Sequence, residues 1–302
     1  SLAVIQIAFH FIAPSRTFTD FDVRSRANQV IASLVQDFNG YSTLPFNPAE
    51  YKYRNIINQV FDPLISRSNN TKQSTYLSPD RLIDIPVKPS SIMFELGEIY
   101  YYPVKKMLDL HQYHDIEDAD AILTDIRKYI FYHRAVAVLP EKVLNIWIVH
   151  TSGSGIQGYS SYPWQTVDHL HGIVLDRAAF FPEDQSDSNM FNSYHSITHH
   201  VGHYLGLPHV YSRYEVAGIN PIINFNIEPD AVQDQDFIPP LINPIEGEPA
   251  RELHNDTEYN PDFTNFMSHT SDAYVSHFNR NQIQEMRYMI QKFRPRINSV
   301  LY

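Results

Sequence analysis

The sequence predicts a mixed α/β (α+β) fold, and three observations carry that prediction. Short runs rich in β-branched and aromatic residues, VIQIAFHFI at 4–12 and VLNIWIV at 143–149, read as strands, the second buried because it is apolar almost throughout. Longer stretches between and after them place apolar residues at helical spacing. Beyond residue 209, Pro221, Pro229, Pro239, Pro240, Pro244 and Pro249 rule out long helices and central strands, so an ordered front meets an irregular back. At 302 residues with 43% hydrophobic content the chain can bury a full core, as one large domain or as two subdomains sharing a cleft.

In chain order, the first strand leads to a helix over about 22–38, with Val23, Ala27, Val30, Ile31, Leu34, Val35 and Phe38 on one face. Residues 39–90 mix Pro, Asn and Ser clusters without a long periodic run, so loops and short elements are expected. SIMFELGEIYYY at 91–102 reads as a strand, and 116–132 as a second long helix whose face is Ala119, Ile122, Leu123, Ile126 and Ile130. Gly172–Asp176 is another short strand. The glycines at 153–158 lack a Gly-Lys-Ser/Thr ending and open no helix, which excludes a phosphate loop. A last helix spans 279–293, with Asn279 and Gln282 at capping-box spacing and Ile283, Met286, Ile290 and Phe293 facing inward.

Composition excludes several partners. A formal charge of −11 argues against nucleic acid and anionic membranes, and no apolar run is long enough to span a bilayer. The absence of cysteine removes disulfides and thiolate ligands, leaving His, Asp and Glu to hold any metal. The opening SLAVIQIAFHF has neither Met nor leader, as expected of a processed chain or a piece of one. Sequons at Asn69 and Asn255 carry little weight.

The chain is organised around residues 188–209, SNMFNSYHSITHHVGHYLGLPH. On a helix Met190, Tyr194, Ile197, Val201, Tyr204 and Leu205 share a core face, while His199 and His203 point the other way, one turn apart. Two imidazoles so placed can bind one ion. Gly206 can end the helix in a left-handed residue and bring His209 round as a third ligand.

His199, His203, Gly206 and His209 fit the metzincin signature H-E-x-x-H-x-x-G-x-x-H, and Asn265-Phe266-Met267 is a Met-turn candidate. The run LNIWIVHTSGSGIQGYSSYPW, then HGIVLD, the histidine helix and NFMSHTSDAYVSHFNRNQIQEM resembles the pappalysin family over roughly 143–293, and the strand–helix start at 1–38 fits as well. That resemblance implies a metzincin-like fold: a twisted mixed sheet with two long helices and the zinc helix in an upper subdomain, 1–206, over an irregular lower subdomain, 207–302. It implies Zn2+ on His199, His203 and His209, and Met267 as an apolar floor beneath them. It makes the segment near Gly158–Tyr162 the sheet's edge strand, able to hold an extended peptide or protein segment in the cleft. Localisation is not readable; the family leans towards secreted or assembly-associated proteins. The run Glu228–Asp236 resembles an acidic pappalysin stretch, and Asp230, Asp234 and Asp236 read either as a Ca2+ site or as a solvated loop.

Two positions depart from the family. The general-base glutamate is replaced by His200, which offers one acceptor nitrogen where a carboxylate offers two oxygens and whose charged form a nearby cation disfavours. The family's Tyr two residues after the Met-turn methionine is His269, which could donate a hydrogen bond, approach the metal or lie on the surface. His195 could brace the ligands or face solvent. Two functions follow: a zinc-binding pseudo-protease with hydrolysis lost or strongly weakened, or an active endopeptidase in which His200, or an acid such as Glu215, moves the proton.

Overall fold

The computed structural model describes residues 3–14, 20–39, 90–110, 112–113, 119–150, 156–181, 194–209, 232–235, 265–267, 275, 277–278 and 280–297. Six strands form one sheet: β1 (Ala3–Ala13), β2 (Ile92–Pro103), β3 (Val143–Val149), β4 (Ile156–Ser160), β5 (Ile173–Asp176) and β6 (Val232–Gln235), in the order β2-β1-β3-β5-β4-β6. The first four in that order run parallel, while β4 is antiparallel to β5 and β6 antiparallel to β4. The helices are α1 (Asp20–Asn39), α2 (Ala119–Tyr132), the short α3 (Arg177–Phe180), α4 (His195–Tyr204) and α5 (Arg280–Phe293).

Side-chain alternation assigns the two faces of the sheet. Ile5, Ile7, Phe9 and Phe11 of β1, with Leu144, Ile146 and Ile148 of β3, meet the apolar sides of α1, α4 and α5. Trp147, Val149, Tyr159 and Val174 face the other way, onto Ile122, Ile126 and Ile130 of α2. Each such buried aliphatic or aromatic side chain contributes about 1.5–3 kcal/mol. The expected helical faces are in place: Val23, Ala27, Val30, Leu34 and Phe38 of α1 are all buried, as are Ile283, Met286 and Ile290 of α5, joined by Met289.

Two polar residues that face the second core, His10 and Asn145, satisfy one another. Asn145 Oδ1 accepts from the Val138 amide at 2.8 Å and pairs with His10 Nε2 at 2.8 Å, and Tyr102 OH lies 3.1 Å from His10 Nδ1. That bonding fixes His10 as a neutral ring with its proton on Nε2, and burial lowers its pKa to about 4.

One expectation is corrected here. β4 is not the edge of the sheet, because β6 runs antiparallel along its outer side, Val232 opposite Ser160 and Asp234 opposite Gly158. Part of the acidic stretch expected as a calcium site or a loop is therefore strand. Asp230 and Asp236 lie outside the described residues, and nothing in the structure supports calcium there. Also outside are Met190, Glu215, His269, both sequons and, apart from β6, residues 210–264 of the expected lower subdomain.

Candidate metal centre

α4 carries its apolar residues Ile197, Val201 and Tyr204, with Leu205 just after it, fully buried on the α1 side. Its histidines are buried as well: His199, His200 and His203 all keep less than a tenth of their surface. Past the helix, Gly206 has φ +99°, and the Leu207 amide donates back to the Gly202 carbonyl at 3.0 Å. A Cβ at Gly206 would meet the side chain of Met289. This turn returns the chain so that His209 faces α4.

The three Nε2 atoms form a small triangle: 3.0 Å from His203 to His199, 3.1 Å from His203 to His209, and 3.2 Å from His199 to His209. The opposite ring nitrogens of the two helical histidines are engaged, His199 Nδ1–H donating to the Phe266 carbonyl at 2.6 Å and His203 Nδ1–H to the Leu207 carbonyl at 2.7 Å. Both rings therefore turn an unprotonated Nε2 to the same point, and lone pairs facing one another repel unless a cation lies between them. A tetrahedral ion bound at about 2.0–2.1 Å sets its nitrogens roughly 3.3–3.4 Å apart, close to the triangle seen. Among the described residues this is the cluster able to hold a metal ion.

The segment beneath the triangle is tied to it. Asn265 and Gln282 exchange two side-chain hydrogen bonds, 2.8 and 3.0 Å, and Asn265 Oδ1 also accepts from the Met267 amide at 2.9 Å. Gln282, read at capping-box spacing, thus joins α5 to the Met turn. Met267 is fully buried, and a Cβ on Gly202 would collide with its Sδ. This is the apolar floor the sequence suggested.

His200 lies beside the triad without joining it, its ring centroid 5.7 Å from that of His199 and 6.2 Å from that of His203. It is held on β4. Ser160 Oγ donates to the His200 carbonyl at 2.9 Å and stands 3.1 Å from His200 Nδ1. With the hydroxyl proton given to the carbonyl, Nδ1–H must donate to Oγ, which leaves Nε2 as the basic nitrogen. That Nε2 lies 2.9 Å from where a Cβ on Gly158 would be, so a larger residue at Gly158 would displace the ring.

His195 does not face solvent. Its Nδ1 is 3.0 Å from Asp37 of α1, and Asp37, itself buried, also accepts from Thr198 at 2.5 Å. The anchor joins α1 to the first turn of α4. Sequence reasoning missed Asp37, whose only signal was a carboxylate beside the core position Phe38. It also missed Tyr162, whose ring stands edge-on 5.9 Å from His203 and stacks on Trp164 at 4.4 Å, walling the triad on one side.

Comparisons with known proteins agree with this architecture. No family model matches the chain. An uncharacterized protein of Acanthamoeba polyphaga mimivirus is 42% identical over 297 residues, which is 98% of this chain and 33% of that protein, so the chain spans about a third of its curated relative's length. Tannerella forsythia mature mirolysin, solved in complex with a cleaved peptide, superposes with a TM-score of 0.56 at 18% identity, covering 99% of this chain and 96% of that one. A promirolysin mutant of the same organism gives 0.56 and 18%, covering 99% and 84%. The chain therefore shares the mixed α/β fold of mirolysin.

Proposed function

We propose that the chain is a zinc-binding, pappalysin-like member of the metallopeptidase fold that accepts a peptide or protein segment beside the triad but has lost most or all hydrolytic activity. The observation that carries this reading is the convergence of three Nε2 atoms on one point, with His200 beside them; in this reading His200 stands where the family has a general-base carboxylate. The donor set fits zinc: nitrogen ligands, at least two of them neutral and oriented by backbone carbonyls, at near-tetrahedral spacing. When bound, zinc would supply an acidified water and polarise a carbonyl.

What the chain's own residues do with protons then decides activity. A carboxylate at position 200 could take a proton and pass it on; a single imidazole nitrogen, lying against Gly158 next to a cation, is a poor substitute. The missing base corresponds to about 10²- to 10⁴-fold in rate. β6 adds a second restraint, since it already occupies the outer edge of β4 that an extended peptide would pair with. One observation favours an active enzyme: the Ser160 hydrogen bond selects the tautomer of His200 with a basic Nε2.

The test compares the unaltered protein with His200→Glu and His203→Ala, measuring bound metal and cleavage of a peptide library in each. Zinc in the first two and not in His203→Ala, with cleavage confined to His200→Glu, is expected. Chelator-sensitive cleavage by the unaltered protein, lost in His203→Ala and unimproved by His200→Glu, would establish an active enzyme instead, with His200 or an acid such as Glu215 moving the proton. Absence of zinc from the unaltered protein would remove the reading altogether.

A further inference from the structure

On the face of the sheet away from the triad, between α2 and the end of β4, lies a cavity of about 180 Å³. That is roughly six waters' worth of liquid volume, enough for a molecule with the size of an amino acid. Its floor is Tyr159, 3% exposed, whose buried hydroxyl can take a hydrogen bond from Arg127 on its oxygen but has no acceptor for its own proton. Burial pushes that phenol up to about 12 against the pull of nearby Arg127, so the hydroxyl keeps its proton and can donate. Ser161 lines the same space; its oxygen accepts from the Gly172 amide at 3.1 Å, which leaves its own proton to give. At the mouth Arg127 and Asp168 form an ion pair at 2.7 Å, each side chain about one-third exposed. His171 completes the wall as a neutral ring, since its Nε2 accepts from Arg294 at 2.7 Å.

The charges at this site come in a matched pair. Burial pushes Asp168 up, but the Leu170 amide and Arg127 outweigh it and hold the carboxyl below its ordinary range, so it is ionised beside a permanent guanidinium. A ligand with a lone anion would meet Asp168, and one with a lone cation would meet Arg127. The complement is a molecule carrying both signs about one carbon apart. Replacing half of a solvent-exposed ion pair costs little, because such pairs are weak in water, whereas giving the buried Tyr159 hydroxyl an acceptor removes a standing penalty.

We propose that this cavity binds a free α-amino acid, its carboxylate taken by the hydroxyls of Tyr159 and Ser161 beside Arg127 and its ammonium by Asp168. Ser160, which holds His200, also lines this cavity, but none of the three converging histidines does, and the proposal does not depend on whether the metal centre hydrolyses peptides.

The test is calorimetric titration of the protein with L-alanine and L-leucine, alongside N-acetyl-L-alanine, which lacks the ammonium, and L-alaninamide, which lacks the carboxylate. Binding of at least one free amino acid and of neither derivative is expected. Tyr159→Phe keeps the ring and removes only a hydroxyl whose proton has no acceptor, so its unliganded thermal midpoint should change little while its affinity drops at least about tenfold. Asp168→Asn should weaken the amino acid by a similar factor. Binding unchanged in Tyr159→Phe would place the ligand elsewhere, the metal included, and overturn the proposal. So would equal binding of N-acetyl-L-alanine, which would make the site a plain anion site, or no binding of either amino acid.

Discussion

Gly202 stands on the face of α4 above the Met turn, and placing a methyl group there tests whether that turn supports the triad. A Cβ on Gly202 would overlap Met267 Sδ and come within 3.3 Å of its Cε and 3.4 Å of Phe278 Cε1. Both neighbours are essentially without exposed surface, so neither can move into solvent. In an open helix Gly→Ala is worth about 1 kcal/mol of added stability from propensity alone. Overpacking a filled core costs about 1–3 kcal/mol. The overlap involves the middle of a side chain whose backbone is held by Asn265, so the upper part of that range applies, giving a net loss of about 1–2 kcal/mol for Gly202→Ala. The strain does not stop at stability. Phe266, next to Met267, presents the carbonyl that orients His199, and loss of such an orienting partner typically weakens metal binding about 10- to 100-fold. Met267→Ala opens a cavity and should cost about 2–5 kcal/mol by itself, but combined with Gly202→Ala it admits the new methyl. The double variant should then be more stable than the sum of the singles by about 0.5–3 kcal/mol. Urea midpoints for all four proteins and a competitive zinc titration measure both effects. Gly202→Ala matching or exceeding the parent, or single-variant costs that simply add, would show that Met267 does not lie under the helix.

Three further predictions follow from the same geometry. Arg294 is buried, donating to Tyr204 OH at 2.6 Å and to His171, with its guanidinium 3.5 Å above the Tyr204 ring. Arg294→Ala leaves the buried Tyr204 hydroxyl and His171 ring without their donor and should destabilise by about 1–3 kcal/mol in chemical denaturation, and no loss would contradict the network. The pKa values of His10 and His171 are lowered from 6.5 to about 4 and about 3, mainly by burial, so below pH 6.5 the unfolded chain binds protons that the folded chain refuses. Stability should be retained above pH 6.5 and fall as pH drops towards 4, by at most about 1.4 kcal/mol per pH unit for each ring; half-exposed Glu285, raised to about 7 by burial, works in the opposite sense between 4.5 and 7. Denaturation midpoints from pH 4 to 8 check this, and His171→Gln should flatten the slope. Finally, adjacent residues of β6 alternate between bonding to β4 and pointing away from it, so one of Gln233→Pro and Asp234→Pro must remove a ladder bond. That variant should bind extended peptides more tightly by fluorescence polarisation; equal affinity in both and in the parent would mean β6 does not obstruct the edge.

The residues that could meet a metal were legible in the sequence because their relation is local. His199 and His203 are one helical turn apart whatever surrounds them, and Gly206 with its positive φ suits the reversal that returns His209. Strands and helix faces were legible for the same reason, each being a period of two or 3.6 over a dozen residues. What braces the site was not. The Phe266 carbonyl lies 67 positions from His199 in sequence, and Asp37 lies 158 positions from His195; no spacing rule links them, and each pairing exists only because the sheet order brings α1, α4 and the Met turn together. The edge of the sheet was misread because nothing in 156–160 shows that 232–235 will pair with it. The ion pair and buried hydroxyl of the α2 cavity come from α2, β4 and the loop after β4. The sequence by itself determined how the three histidines converge, through backbone periodicity within one turn and one reversal. Only the tertiary structure decided how rigidly that geometry is held and which surfaces remain open, since both depend on long loops closing between elements far apart in the chain.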